Sequence, residues 1–307
     1  MSRWIFRALV SALLAAILLS VIPLESLIAA IRRISVWTWS ASLAIFLTGH
    51  YLNALKLRLL LGEPAVAASV CVQAQYAGLV ANLGLPGIAG GDLVRAGYLL
   101  PVAGTARVAM ASIADRLIDT ATLLVLVAIA LPFAGVPPPI ERIVWAGGWW
   151  IAIGSLAGAA LLVAVFLMRN RIAAVRKLTD RLSALTSRPG AIAGAIGISL
   201  LVQAGFVLTN VWLAREVGVG THVAAWFVGW PLSKLVAVLP ISLGGIGVRE
   251  AVLVSILAPY GAPADAVLAS GILWQSVLAV SGLLGMIGSQ LLRAGAPLAA
   301  SRPTGEV

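Results

Sequence analysis

Long apolar runs alternate with short polar breaks along the whole chain, and the runs are of two kinds. Six are continuous enough to predict membrane-crossing helices, at 4–22, 36–55, 112–133, 144–168, 191–213 and 265–292. Each approaches the ~20 apolar residues that cross the hydrocarbon of a bilayer. Two others are interrupted. The run at 65–85 carries Gln73, Gln75 and Asn82 and meets a Pro/Gly-rich stretch before a short helix ending at Leu100. The run at 224–239 meets a second such stretch before an arm at 248–260. Broken backbone is tolerated at membrane depth only where protein or water surrounds it. The pattern therefore predicts an all-α, polytopic integral membrane protein with about six full spans and two broken or re-entrant helical hairpins. Residues 1–307 form a single transmembrane domain, with the first hairpin and its following span in 56–133, a basic loop at 169–190, and the second hairpin and its span in 222–292.

The two breaks share a pattern. Pro86-x3-Gly90-Gly91-x3-Arg95 recurs half a chain later as Pro240-x3-Gly244-Gly245-x3-Arg249. Proline removes an N–H and breaks the helical ladder, and paired glycines let another backbone or a head group come close. The arm that follows presents a helix N-terminus, with the Arg about one turn in. That combination of free N–H groups and guanidinium suits phosphate. A mechanical role, kinking and packing, accounts for one copy; two copies with the same Arg favour a site. Pro101, Ala106, Ala111 and Ser112 likewise match Pro259, Ala264, Ala269 and Ser270. An odd number of crossings separates the motifs, so the repeat is inverted. Broken helices in corresponding halves of such a repeat point to a transport site.

Composition removes some alternatives. The chain is 61% hydrophobic and 10% charged, with a mean hydropathy of +1.05. The net charge of +10 does not point to nucleic acid, because the basic residues fall between apolar segments and form no stripe. They act instead as topology signals. Arg169, Arg171, Arg176, Lys177, Arg181 and Arg188 face one acid, Asp180. This places 169–190 in the cytoplasm, with both termini on the same side of an inner (plasma) membrane. Lys56 and Arg58 mark the basic end of the second span, and Arg32 and Arg33 are the exception. One cysteine, Cys71, and two histidines provide neither a disulfide nor a cluster with metal-ligand spacing, so no cofactor or metal is expected.

Ionisable groups at membrane depth are costly and are functional-site candidates. Asp92 and Arg95, three apart, can pair on one helix face. Asp115, Arg116 and Asp119 stand at the start of a span, where an interfacial salt bridge is the competing reading. Lys234 precedes Pro240, and Arg249-Glu250 follows it. His50 and Asn53 read as an interhelical hydrogen-bonding pair.

Pro86-Gly87-x-x-Gly90-Gly91-Asp92-x-x-Arg95, then Asp115-Arg116, then Pro240-x3-Gly244-Gly245-x-Gly247-x-Arg249-Glu250 resemble the flippase-like family typified by the membrane half of lysylphosphatidylglycerol synthase/flippase proteins. The resemblance implies a non-enzymatic protein that moves a lipid with an anionic or phosphate-bearing head group between leaflets by alternating access. Pro86, Gly90, Gly91, Asp92, Arg95, Asp115, Arg116, Pro240, Gly244, Gly245, Arg249 and Glu250 would then contact the lipid, joined by Lys234 from its depth alone. Bifunctional members carry an aminoacyl-transferase domain after the membrane part, whereas this sequence stops at Val307, so lipid aminoacylation is not expected of it. The alternatives are an intramembrane enzyme, with Asp115 and Asp119 as a metal-binding pair, and an accessory subunit of an envelope-lipid or lipid-linked glycan pathway. A homo-oligomer or an envelope-biosynthesis partner is compatible with either. Proton-coupled solute transport would use Asp92 and Glu250.

Overall fold

The computed structural model describes residues 32–62, 66–84, 89–135, 188–237 and 247–294. Eight α-helices lie among them: α1 Val36–Leu61, α2 Ala68–Gly84, α3 Ala89–Ala103, α4 Thr105–Ala130, α5 Pro189–Glu216, α6 Val223–Ala237, α7 Val248–Leu257 and α8 Ala264–Ala294. Short 3-10 turns, Leu131–Phe133 and Ala258–Tyr260, extend α4 and α7. The spans expected at 4–22 and 144–168, most of the basic loop, and Pro86, Pro240, Gly244 and Gly245 fall outside the described residues.

Three stretches, Thr105–Phe133, Pro189–Glu216 and Ala264–Gln290, are long and apolar enough to cross a membrane. They correspond to three of the expected spans. Helix α1 is as long, with 26 residues, but more polar, and its polar positions Thr38, Ser42, His50 and Lys56 are buried in protein. Its N-terminus is capped by Ser35, whose hydroxyl accepts from the Thr38 N–H at 3.0 Å. Helices α2, α3, α6 and α7 have 17, 15, 15 and 10 residues, all below the ~20 needed to span.

One order of elements occurs twice: a long helix, two short helices packed on each other, and a second long helix. In the first half α2 packs on α3, and in the second α6 packs on α7. The last helix of each half also packs on the other half, α4 on α5 and α6, and α8 on α1 and α2. Glycines with positive φ punctuate both halves at like places. Gly62 (85°) and Gly218 (98°) follow the first long helix, and Gly104 (75°) and Gly261 (78°) precede the last. A side chain is strained in that backbone region.

Buried apolar residues form two main clusters. One joins Ala54, Leu57, Cys71, Tyr76, Leu99 and Val108 across α1–α4. The other joins Phe46 to Phe206, Trp226, Trp230, Leu253, Leu257 and Trp274 across α1 and α5–α8. Leu93, Leu117, Ile129, Phe133, Leu201, Leu208, Leu284 and Ile287 are exposed. Such a wide apolar exterior fits a multi-pass membrane protein whose solvent is lipid.

Candidate functional site

Between the two clusters lies a cavity of about 230 Å³, lined from both halves. Its charged wall begins on α4. Asp115, buried, accepts from Arg95 Nη1 of α3 at 2.9 Å and lies 2.9 Å from Lys56 Nζ of α1. One turn on, Asp119 takes Lys56 Nζ at 2.5 Å and the Ser199 hydroxyl of α5 at 2.6 Å. Arg116 turns the other way and donates to Asp92 of α3 at 2.5 Å. Asp92 also lies 3.4 Å from Arg95 Nη2. This last pair is the one expected from the i,i+3 spacing, but each member has a closer partner on α4. Helix α4 thus ties α1, α3 and α5 together through three charged side chains.

The second half contributes Lys234 on α6 and Arg249 on α7. Lys234 donates to Gln203 Oε1 of α5 at 2.8 Å. Among the described residues it has no carboxylate within ion-pair distance. Arg249 lies over the Trp230 ring, 5.1 Å from its centroid, and pairs with Glu250. Glu250 does not line the cavity. Its other oxygen accepts the Gly247 N–H at 2.8 Å, so it caps α7 and holds Arg249 from behind. The cavity wall carries five cations, Lys56, Arg95, Arg116, Lys234 and Arg249, against three carboxylates, Asp92, Asp115 and Asp119.

Residues 4–285 match the family described as the lysylphosphatidylglycerol synthase TM region. The chain belongs to that family. No curated protein matches the chain individually. Membership gives the chain a place among membrane proteins with a lipid-related role.

In this lysylphosphatidylglycerol synthase TM region protein, Gly91, Asp92, Arg95, Asp115, Arg116, Lys234 and Arg249 all line the one cavity. Gly90 is buried in the first turn of α3 and lies outside it. Gly91 also lets α3 approach α2. A Cβ there would collide with the Gly78 carbonyl oxygen of α2, and the Gly91 N–H donates to Asn82 Oδ1 at 2.8 Å. The glycine admits a neighbouring backbone.

Three readings change. Asp115 and Asp119 are not at a helix end, because α4 starts at Thr105 and carries them about three and four turns in. Lys56 is not the exposed basic end of a span. Helix α1 continues to Leu61, and the Lys56 side chain is 1% exposed, lying between Asp115 and Asp119. A cation therefore occupies the place a metal would take between those carboxylates. His50 and Asn53 both line the cavity, but neither ring nitrogen of His50 has a hydrogen-bond partner among the described residues. Gln203, Gln275 and the aromatic residues Phe46, Phe206, Trp230 and Trp274 also line the cavity and carried no sequence signal. An apolar membrane helix hides its cavity-facing aromatics among its lipid-facing ones.

Proposed function

We propose that this protein moves an anionic or phosphate-bearing lipid between leaflets of the inner membrane, holding the head group in the cavity while the acyl chains stay in lipid. The observation that carries this is Lys234. It is a half-buried cation on the cavity wall, bonded to a neutral amide, with the buried Arg249 and Arg95 on the same wall. Drawing a charge out of water with no carboxylate in contact is costly, and an anionic head group supplies a direct partner. Arg95 and Arg249 come from the arms after the two Pro/Gly-Gly elements, so the repeated motif contributes one guanidinium from each half.

The recurring element order, the reciprocal packing of α4 and α8, and the matched glycine turns support reading the halves as an inverted repeat. Hairpin helices too short to span support re-entrant hairpins. Together they favour alternating access by rocking one half against the other. A cytoplasmic placement of both termini now rests on the Arg-rich segment at 169–190, since Lys56 belongs to the site.

The test is leaflet assignment of labelled anionic phospholipid in proteoliposomes. Lys234→Gln and Arg249→Gln are each expected to slow exchange about tenfold or more, the effect of losing a charge-assisted bond. Exchange by the native protein no faster than in empty vesicles would sink the function. Native-like exchange in both variants would sink the site.

A further inference from the structure

The cavity wall consists of two contiguous patches with different chemistry. The ion-paired patch runs through Lys56, Asp115, Arg95, Asp92 and Arg116. The other is aromatic. Phe46 packs against Phe206 at 4.7 Å and Trp274 at 4.2 Å between ring centroids, and Trp230 against Trp274 at 4.4 Å. Neutral hydrogen-bonding groups without partners among the described residues lie within this second patch. Both ring nitrogens of His50 are buried and unbonded, with the imidazole 5.4 Å from Phe206, and Gln275 Oε1, next in sequence to Trp274, is also buried and unbonded. A buried polar atom left without a partner costs free energy, so this patch favours a ligand that both donates and accepts.

We propose that the head group is a phosphate-linked polyol or sugar. This rests on the translocase reading above and narrows its substrate class. An imidazole provides one donor and one acceptor, and the amide oxygen provides an acceptor; hydroxyls satisfy all three. The hydroxyls of the polyol face His50 and Gln275, while its phosphate meets Lys234 and Arg249 at the junction of the two patches. The volume, about 230 Å³, is below the ~300 Å³ of the smallest drug-sized pockets and suits a head group without its chains.

An ammonium head group fits less well. Cation–π recognition requires an open ring face. Arg249 covers Trp230, and Phe46 and Phe206 stack on each other at 28°. The excess of cations in the wall repels a further positive charge.

The experiment is native mass spectrometry of the purified full chain with phosphatidylinositol, phosphatidic acid and phosphatidylcholine of identical acyl composition. Thermal unfolding is followed in parallel with inositol 1-phosphate and with inorganic phosphate. Phosphatidylinositol is expected to be retained about tenfold over phosphatidic acid, because a site built for hydroxyls rejects the analogue that lacks them. Gln275→Leu and His50→Phe are each expected to shrink that ratio toward one. Equal retention of phosphatidic acid by the native protein overturns the proposal, and its flipping in vesicles would leave the translocase reading standing. Preferential retention of phosphatidylcholine also overturns it. Stabilisation by inositol 1-phosphate equal to that by the lipid, with inorganic phosphate inert, upholds the polyol assignment and makes the ligand a free solute, against translocation.

Discussion

Lys56 is the most deeply buried cation of the charged wall and holds two carboxylates at once. Its ammonium is the shared partner of Asp115 and Asp119, 2.9 and 2.5 Å away, in a site largely closed to solvent. Removing one member of a buried charge group leaves the others uncompensated, a loss of about 3–5 kcal/mol. Lys56→Met is therefore expected to lower the unfolding temperature in detergent sharply. Adding Asp119→Asn should recover part of the loss, because Asp115 keeps Arg95 and the surplus carboxylate is then removed. A double variant no more stable than Lys56→Met would break the link between the two residues. The same lysine shows why part of the site was illegible in the sequence. Hydropathy falls where a span meets water and also where a helix turns a charge inward, and a single sequence cannot separate these without the partner, 63 positions away. Arg95 and Arg249 were legible because they stand in a repeated motif, and Asp115 because it is an ionisable group within an apolar run. His50, Gln203 and Gln275 have no such marker.

At the scale of elements, the first hairpin depends on the closeness of its two arms. Gly78 and Gly91 face each other, so a Cβ on either would come within 2.7 Å of the other's carbonyl oxygen. This contact places the first turn of α3 against α2 and aims Arg95 one turn further on toward Asp115. Gly91→Ala is expected to cost about 1–3 kcal/mol by overpacking and to lower lipid exchange with it, because Arg95 moves as the arms separate. Gly97 lies further along the same helix, with nothing within 4 Å of a Cβ. There Ala relieves glycine's helix penalty of up to ~1 kcal/mol, so Gly97→Ala should unfold at or above the native temperature. Paired thermal melts check both, and equal effects would show that the close crossing does not hold the hairpin. Both short-helix pairs could be located within a few residues before any coordinates, since a Pro/Gly break in an apolar run is a strong local signal. Boundaries slipped where long helices ran past a polar residue, as α1 did at Lys56 and as α4 did at Arg107 by starting at Thr105 instead of 112.

At the scale of the whole molecule, the halves are interleaved rather than side by side. Helix α4 of the first half packs against α6 of the second, and α8 of the second against α2 of the first. A rocking motion that opens the cavity to one side must slide at least one of these contacts. The α4–α6 contact includes a small apolar cluster of Ala130, Ala134 and Val228. None of the three lines the cavity, so the cluster offers a place to restrain motion without altering the site. The one native cysteine, Cys71, is buried and can be replaced by Ser. In that background, Ala130→Cys with Val228→Cys joins the halves when bridged by a short bifunctional thiol reagent, whose reach relaxes the strict geometry of a direct disulfide. Bridging is expected to reduce lipid exchange to the level of empty vesicles while lipid retention by native mass spectrometry stays unchanged. Each single-cysteine variant treated with the same reagent should exchange at the native rate. Full exchange in the bridged protein would mean that α4 and α6 move as one body, and the moving boundary would have to lie elsewhere, at α8 and α2. Loss of both retention and exchange would place the cross-link's effect on the cavity itself. Only loss of exchange with retained binding separates holding the head group from carrying it across, and that is the distinction on which alternating access rests.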